Sequence, residues 1–363
     1  MLKRRDFLYK SGVGLAGAAL LPTAVACAQA QSKRKLGIAL VGLGNYSRGK
    51  LGPALRETKR CYLAGIVTGT PEKATQWQAE YGISPKHTYS YDNFDEIAND
   101  PDIDVIYIVL PNAMHAAYTI RAAKAGKHVI CEKPMAVTVA ECDEMIAACR
   151  ENNVHLSIGY RLHYDPHNLE MMRLGQQQVH GPVKLIEASD GWNGVNWENW
   201  RFHRELSGGG AMMDVGIYCI QGARYVTGEE PISVRAQEFK THLEKFKEVE
   251  ETITWQMRFP SGAAANCATS YATSMDRLYV GAEKGRFDLE PAFGYGKIVG
   301  TVNGQRMKQE HINQQAAQMD AFAGVVLDGD KNLVPGEMGR QDVKIIQAIY
   351  QAVASGKEVE VPS

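Results

Sequence analysis

The sequence lacks an excess of charge of either sign. Its 363 residues carry 40 Lys and Arg against 41 Asp and Glu, which gives a net charge of -1. Nucleic-acid binding requires clustered, excess Lys and Arg that neutralise phosphates. We therefore expect no DNA or RNA partner. The 45% hydrophobic and 22% charged residues are typical of an ordinary globular protein.

Closely spaced cysteine pairs are also missing. The seven cysteines form no CxxC pair and show no metal-ligand spacing. A secreted disulfide scaffold would be far denser in cysteine. We therefore expect free thiols and no metal site, although one disulfide is still compatible with the sequence.

The first thirty residues contain an apolar run, 13–21, that is too short to span a bilayer as a stable helix. A charged start precedes this run, and small residues follow it ahead of a plausible cleavage site near Gln31. The string "RRDFL" resembles the twin-arginine export signal of proteins that fold before they leave the cytoplasm. We predict a signal peptide over 1–30, a periplasmic protein and no membrane contact beyond export. Ala26-Cys27 leaves a lipoprotein cleavage site as the alternative.

From Lys35 onward, strand-like apolar runs alternate with helical patterns. The strand-like runs are "LGIALVGLG", "CYLAGIV", "DVIYIVLP", "KHVICEKP" and "VHLSIGY". Pro71 and Gly82 bound one of the intervening helices, and Thr138 with Glu141 has the spacing of a capping box at the start of another. This order predicts an α/β protein that begins with a doubly wound parallel sheet, a Rossmann domain over 35–160.

After about residue 160 the pattern changes to longer alternating runs. These runs are "GPVKLIEASD", "PISVRAQEFK", "EETITWQMRFPSG" and "GAAANCATSYAT". They predict a second α/β domain over 161–363, for substrate binding and oligomerisation, with a large, mostly antiparallel open sheet. An amphipathic helix over 341–355 closes the chain.

A glycine-rich turn follows the first strand in "ALVGLGNYS". Two glycines between a strand and a helix allow backbone N–H groups to meet a pyrophosphate, although Ser47 replaces the third glycine of the usual fingerprint. The turn therefore predicts dinucleotide binding. The predicted cofactor contacts in this turn are Gly42, Leu43, Gly44, Asn45 and Tyr46.

The end of the second strand distinguishes the two nicotinamide cofactors. An acidic residue there would bind the ribose hydroxyls of NAD and repel a 2′-phosphate. Here "VTGTPEKA" offers Thr68, Gly69, Thr70 and Lys73 instead. This favours NADP and leaves NAD possible; an ordinary helix cap with a solvated lysine is the alternative interpretation.

Glu132, Lys133 and Pro134 follow the fourth strand of the predicted sheet. The carboxyl end of such a strand faces the ligand crevice, where a lysine can hold a substrate oxygen or help to move its proton. Pro134 removes a backbone donor and fixes the turn that directs the lysine. Taken alone, a lysine before a proline is more often a solvated loop residue.

Longer motifs resolve this ambiguity by resemblance. The strings "AGKHVICEKPMA", "LPNAMHAAYTIRAAKAG", "IGYRLHYDP" and "WRFHRELSGGGAMMDVGIYCIQGARYVTGEEP" resemble the Gfo/Idh/MocA oxidoreductases, in particular the glucose-fructose oxidoreductase branch. The similarity runs from about Leu36 to Val359. It implies a Rossmann domain followed by an α/β domain whose open sheet mediates subunit contact, and hence a homodimer or homotetramer.

The resemblance also implies the catalytic residues. Lys133 matches the family's catalytic lysine, and "DVGIY" places Tyr218 where many relatives have histidine. We hypothesise that Lys133 lowers the pKa of Tyr218 so that the phenol serves as acid or base. Asp214, four residues earlier, is expected on the same helical face, where it could orient the substrate or the lysine. A core tyrosine is the alternative for Tyr218.

Further contacts are assigned by position or by the same resemblance. The remaining predicted cofactor contacts are Leu110, Pro111, Asn112, His115, Glu132, Lys133, Arg161, Trp200 and Arg201. The predicted substrate contacts are Tyr160, Arg161, His163, Asp214 and Tyr218. A buried structural role is the alternative for His163, and ordinary packing is the alternative for Trp200.

The resemblance implies a sugar oxidoreductase with tightly bound NADP. It would oxidise an aldose to a lactone and reduce a second sugar in a ping-pong cycle, which suits an exported enzyme that has no free nucleotide outside the cytoplasm. Exported members of the branch carry a long Pro-rich arm before the first strand, whereas here only "QSKRK" precedes Leu36. A sugar dehydrogenase with exchangeable cofactor is therefore an alternative, as are an NAD-dependent glycosidase and a catalytically silent sensor of the same fold.

Overall fold

The computed structural model describes residues 34–361. The predicted signal peptide, 1–30, lies outside the described residues. From Lys35 onward the chain forms one compact unit. Within the described range, no helix is both long and apolar enough to cross a membrane.

The first sheet contains six parallel strands in the order β3-β2-β1-β4-β5-β6. Its strands are β1 (Leu36–Val41), β2 (Cys61–Val67), β3 (Thr88–Tyr89), β4 (Val105–Ile108), β5 (His128–Cys131) and β6 (Leu156–Ile158). Most of their residues are buried, as expected of strands covered on both faces. The order is that of a Rossmann fold, which confirms the predicted doubly wound sheet and adds the short strand β3.

Helices connect these strands. They are α1 (Gly52–Glu57), α2 (Pro71–Tyr81), α3 (His115–Lys124) and α4 (Val139–Glu151). Pro71 is the first residue of α2, and Gly82 ends that helix with a φ of 69°. The Thr138 side chain accepts from the Glu141 amide while Glu141 accepts from the Thr138 amide, which confirms the predicted capping box.

The second sheet has nine strands in the order β14-β13-β12-β11-β7-β10-β9-β8-β15. Its strands are β7 (Val183–Gly191), β8 (Ser233–Phe239), β9 (Thr252–Arg258), β10 (Ala264–Ser270), β11 (Met275–Ala282), β12 (Gly285–Leu289), β13 (Gly300–Val302), β14 (Gln305–Arg306) and β15 (Val359–Glu360). Only the pair of β7 and β10 is parallel, so the prediction of a mostly antiparallel sheet is confirmed.

The helices of the second half are α5 (Pro166–Gln176), α6 (Arg204–Ser207), α7 (Ile217–Thr227), α8 (Gln314–Asp328) and α9 (Gly336–Ser355). Helix α9 begins five residues before the predicted start of the 341–355 helix. Gly336 and Gly339 both lie inside α9. A Cβ at Gly336 would come within 2.9 Å of Ile146, and one at Gly339 within 2.9 Å of Met135, so these glycines permit close packing.

Helix α8 packs on the first sheet. It follows the second sheet in the sequence, but Met319 and Phe322 pack in the same buried cluster as Leu36 and Leu40 of β1. The Asp320 carboxylate accepts hydrogen bonds from the backbone amides that precede β2. The C-terminal half of the chain therefore packs against the first sheet.

Candidate active site

The glycine-rich turn after β1 has the geometry of a pyrophosphate cradle. Gly42 has a φ of 95°, and a Cβ there would come within 2.5 Å of the Val109 carbonyl oxygen. A Cβ at Gly44 would meet no atom within 4 Å, so this glycine borders open space. The Ser47 hydroxyl donates a 2.6 Å hydrogen bond to the Gly42 carbonyl. Serine thus closes the turn where the fingerprint has glycine, and the residues present fit a dinucleotide.

The turn after β2 contains small and hydroxyl residues, Thr68, Gly69 and Thr70. Thr68 is buried, and its hydroxyl accepts from the Thr70 amide at 3.2 Å. Gly69 and Lys73 are exposed, as is Glu72 in the first turn of α2. Because no carboxylate occupies the strand end itself, the site lacks the acid that usually binds the ribose of NAD.

Lys133, Asp214 and Arg201 form a charged cluster in the crevice. The Lys133 Nζ donates to the Asp214 carbonyl oxygen at 2.5 Å and lies 3.5 Å from its Oδ1. The Arg201 Nε lies 3.0 Å from Asp214 Oδ2, and the Trp192 indole N–H donates to the same oxygen at 3.3 Å. Burial alone would raise the pKa of Asp214, but Arg201 and Lys133 hold it well below its ordinary value. Asp214 is therefore a fixed carboxylate.

Tyr218 joins this cluster. Asp214 lies in a π-helical turn, Met212–Gly216, that leads directly into α7, where Tyr218 is the second residue. The Lys133 Nζ lies 4.7 Å from the centroid of the Tyr218 ring, and the Phe293 ring centroid lies 6.0 Å from it. The structure thus brings together Lys133, Asp214 and Tyr218, as predicted for the catalytic residues.

The hypothesis that Lys133 lowers the pKa of Tyr218 is wrong for the protein without cofactor. Burial raises the pKa of this phenol above 10.0; Glu132, Asp190 and Asp214 raise it further, and Arg161 only partly offsets them. Lys133 lies over the face of the ring. Tyr218 is consequently a neutral phenol at neutral pH, able to donate a proton.

A chain of two hydrogen bonds holds the Glu132 side chain in place. Its Oε1 accepts from the Tyr107 hydroxyl at 2.7 Å, which in turn accepts from the Gln318 amide of α8 at 2.8 Å. Burial raises the pKa of Glu132. A Cβ at Gly159 would come within 2.7 Å of this carboxylate, so glycine is required beside it.

The loop after β4 positions the segment that carries Lys133. The His115 Nδ1 lies 2.8 Å from the Pro134 carbonyl oxygen, and its Nε2 lies 2.9 Å from that of Leu110. Burial lowers the pKa of His115, so the ring is neutral. The buried Asn112 amide, which follows Pro111, donates to the Ser207 carbonyl of α6 at 2.8 Å. His115 and Asn112 thus hold neighbouring loops in place, and their predicted cofactor contacts stay a prediction.

Arg161 is also more deeply buried than predicted for a ligand contact. It is 1% exposed, and its guanidinium donates to the carbonyl oxygens of Phe293 and Gly294 and to the Gln314 side chain. It therefore anchors the loop after β12 to α8. That loop carries Tyr295, whose ring lies 4.2 Å from the Arg161 guanidinium and 5.7 Å from the Tyr46 ring. Tyr295 thus reaches the helix that follows the glycine-rich turn.

The structure buries Tyr160 among other partners and packs His163 on Tyr225, while their substrate contacts stay a prediction. Tyr160 is 1% exposed, and its hydroxyl lies near the Asp342 carboxyl of α9. The His163 ring lies edge-on to Tyr225 at 4.5 Å, and burial, together with the Arg224 charge, lowers its pKa to about 4. The Arg161 guanidinium, by contrast, lies 5.4 Å from the centroid of the Tyr218 ring.

The segment before α6 supplies two neighbouring residues to the charged cluster, Trp200 and Arg201. The Arg201 guanidinium lies 4.4 Å from the centroid of the Trp200 ring, which is half-buried. Trp200 therefore packs on the cation that holds Asp214.

Sequence reasoning missed Trp192 and Asp190. Trp192 stands in an unpatterned loop and could be recognised only from its contacts. Asp190 had a usable signal, because it follows Ile186 and Ala188 on the inward face of β7, where an acidic residue is unexpected.

The fold and the site together define an NAD(P)-dependent oxidoreductase. Residues 36–160 match the family model of the oxidoreductase family with an NAD-binding Rossmann fold, and 169–288 match that of the GFO/IDH/MocA C-terminal domain. The chain belongs to the Gfo/Idh/MocA oxidoreductase family.

Three of the similar proteins have names that refer to sugars. The crystal structure of aldose-aldose oxidoreductase from Caulobacter crescentus, complexed with glycerol, is 41% identical with a TM-score of 0.88, over 90% of this chain and 100% of that one. D-xylose 1-dehydrogenase [NADP(+)] of Haloarcula marismortui is 29% identical over 86% of this chain and 90% of its own length. 1,5-anhydro-D-fructose reductase of Ensifer adhaerens is 25% identical over 89% of this chain and 97% of its own.

Proposed function

We propose that the protein is a periplasmic sugar oxidoreductase that retains NADP, oxidises an aldose to its lactone and reduces a second sugar in a ping-pong cycle. The observation that carries the proposal is the cluster of Lys133, Asp214 and Tyr218 at the mouth of a dinucleotide-binding crevice. The names of the similar proteins support sugars as the substrate class. The missing acid at the end of β2 and the NADP-dependent relative support NADP.

Each member of the cluster has a distinct task. A bound nicotinamide would supply and take up hydride at the carboxyl end of β5. In the reducing direction, the Tyr218 O–H bond breaks and its proton passes to the sugar carbonyl oxygen; in the oxidising direction, the aldose hydroxyl proton returns to the phenolate. The Lys133 ammonium stabilises negative charge on that oxygen. Asp214, held by Arg201 and Trp192, accepts hydrogen bonds from the sugar.

Retention of the cofactor is supported by the loop that carries Tyr295. Its ring contacts Tyr46, and the Lys50 ammonium lies 5.0 Å from its centroid. Both partners belong to the helical segment after the glycine-rich turn, so the loop extends over the predicted cofactor-binding residues. This contact offers a means of retention within the chain itself. A retained cofactor and the twin-arginine-like string support export of the folded enzyme.

The open sheet supports a homo-oligomer. One face of β8, β9 and β10 packs on the helices, whereas alternate residues on the other face, such as Arg235, Gln256 and Asn266, are exposed. We propose subunit contact through this face. Light scattering of the purified protein should give the mass of a dimer or a tetramer, and a monomer would contradict this part of the proposal.

The deciding experiment uses enzyme purified without added nucleotide. We expect absorbance of reduced nicotinamide to rise after addition of glucose or xylose and to fall after addition of fructose or a second aldose. The Tyr295→Ala variant should lose nucleotide on dialysis more rapidly than the wild type. If no nucleotide copurifies and activity requires added NADP or NAD, the enzyme is an exchanging dehydrogenase and the retention proposal fails.

A further inference from the structure

Asp190 occupies an unusual position for a carboxyl group. It lies on the inward face of β7 and is 9% exposed. Its direct partner on β11 is another acid, Asp276. The Asp276 carboxylate accepts hydrogen bonds from the backbone amides of Ala292, Phe293 and Gly294, at 2.7, 2.6 and 3.1 Å. The Asp276 carboxylate therefore binds the loop after β12, and it makes no hydrogen bond with Asp190.

The Asp190 carboxyl itself has no hydrogen-bond partner among residues 34–361. Its oxygens are not among the fully buried, unpartnered side-chain atoms, so this nearly buried carboxyl borders open space where a ligand can meet it. The charged groups that act on Asp190 are Asp276 of β11, Lys133 after β5, Asp214 of the π-helical turn and Arg161 after β6. Asp190 also acts on Tyr218 and Cys219 at the start of α7. Asp190 therefore interacts electrostatically with the proposed catalytic residues Lys133, Asp214 and Tyr218.

The electrostatics determine which form of the carboxyl a ligand meets. Burial, and then repulsion by Asp276, raise the pKa of Asp190 to about 8; Lys133 and Arg161 oppose this only in part. At neutral pH the group is a carboxylic acid, which can donate one hydrogen bond and accept another. A sugar hydroxyl has the complementary pair of functions.

We propose that Asp190 is a substrate-binding residue whose carboxylic acid donates a hydrogen bond to a sugar hydroxyl next to the carbon that reacts at Tyr218. This inference rests on the proposed function, since it requires a polyhydroxylated substrate in the crevice. No bond is made or broken at Asp190. Its contribution lies in binding and orientation, and ionisation of the carboxyl removes the donated hydrogen bond.

The test compares three variants at several pH values between about 6 and 9. Asp190→Asn keeps a donor of the same shape but does not ionise, and Asp190→Ala removes the group. Glu187→Gln changes an exposed acid on the same strand and is the matched control. Sugar binding is followed by tryptophan fluorescence, and KM and kcat are measured in the same samples.

We expect Asp190→Ala to raise the dissociation constant and KM for the sugar about tenfold, the effect of one lost buried hydrogen bond. In the wild type, KM should rise as the pH passes about 8, whereas Asp190→Asn should bind nearly as well at neutral pH and lack that rise. Glu187→Gln should behave as the wild type does. Unchanged sugar binding in Asp190→Ala, or the same alkaline rise in Asp190→Asn, would overturn the assignment. If the wild type neither binds nor converts any aldose, the proposed function fails and the inference fails with it.

Discussion

The ammonium of Lys133 donates to the backbone carbonyl of Asp214 at 2.5 Å, and its second contact is the Asp214 carboxylate at 3.5 Å. Lys133 follows a strand of the first sheet, and Asp214 lies in the π-helical turn ahead of α7. The contact therefore joins the Rossmann part of the chain to the part that carries Tyr218. Arg201 neutralises the same carboxylate, so the lysine charge is left to act on a substrate oxygen.

Replacement of Lys133 by Met should lower kcat/KM for the aldose by roughly 10²–10⁴-fold, the usual contribution of a positioned acid–base or charge-stabilising group. The protein should still fold, because Arg201 and the Trp192 indole continue to pair Asp214. Lys124→Met, at an exposed lysine that ends α3, is the matched control. Steady-state kinetics and thermal unfolding measure both effects. Retention of more than a tenth of the wild-type kcat/KM would argue against a catalytic role for Lys133.

The pH dependence should report Tyr218. Because its pKa lies above 10.0, the phenolate that accepts the aldose proton is scarce at neutral pH. The rate of aldose oxidation should therefore rise with pH through the alkaline range, while carbonyl reduction, which uses the neutral phenol, should not rise. Tyr218→Phe should lower both rates by about 10²-fold or more and remove the alkaline rise. An identical pH profile in the phenylalanine variant would assign the titration to another group.

How much of this site the sequence could predict depends on whether the signal was local. Lys133, Asp214 and Tyr218 lie in compact motifs at a strand end and on one helical turn, and the structure brings them together. Trp192 reaches the site from a loop that no local pattern marks. The alternation of β7 marks Asp190 as inward-facing, but its neighbours depend on the pairing of β7 with β11. For Tyr160 and His163 the local signal did not show their packing. They lie close to Arg161 in the sequence, but they pack against residues of α9 and α7. The fold was predictable to the level of both sheets because hydrophobic period and turn residues were consistent throughout.

Cofactor preference should depend on the turn after β2. Gly69→Asp places a carboxylate where the 2′-phosphate of NADP would lie, and we expect it to weaken NADP binding at least tenfold more than NAD binding. Gly69→Ala is the matched control, since it adds the Cβ, which would come within 3.1 Å of the Tyr91 ring, but no charge. Both affinities can be measured by fluorescence of the reduced nucleotides after removal of bound cofactor. Equal loss of NADP in the two variants would show that shape and not charge governs the turn.

Tyr160 should affect stability and not substrate binding. Its hydroxyl lies beside Asp342, a fully buried carboxyl that also binds Gln221 at 2.7 Å and Arg224 at 2.5 Å. We expect Tyr160→Phe to lower the free energy of unfolding by about 1 kcal/mol and to leave the sugar KM unchanged. Arg224→Ala should cost about 3–5 kcal/mol, because it leaves the Asp342 carboxyl buried without its charge partner. Urea unfolding combined with kinetics decides between a structural role and a substrate contact for Tyr160. A raised sugar KM in Tyr160→Phe would show that the tyrosine contacts the substrate.

Asp190 should reduce the stability of the native state at neutral and alkaline pH. Its pKa is about 8 in the fold against 3.8 for an ordinary aspartate, so between these values the native state keeps a proton that the unfolded chain has lost. The cost to stability is absent below the lower value, grows as the pH rises between the two and is complete above the higher one. Each pH unit of this interval corresponds to about 1.4 kcal/mol. The free energy of unfolding of Asp190→Asn should therefore exceed that of the wild type by an amount on the order of a few kcal/mol near pH 8. Near pH 4 the two free energies should be nearly the same. Urea unfolding at these two pH values measures the difference. A carboxyl retained at such a cost fits a group that functions in binding, whereas an asparagine variant that is equally stable at both values would show that Asp190 is ionised and solvated in the native protein.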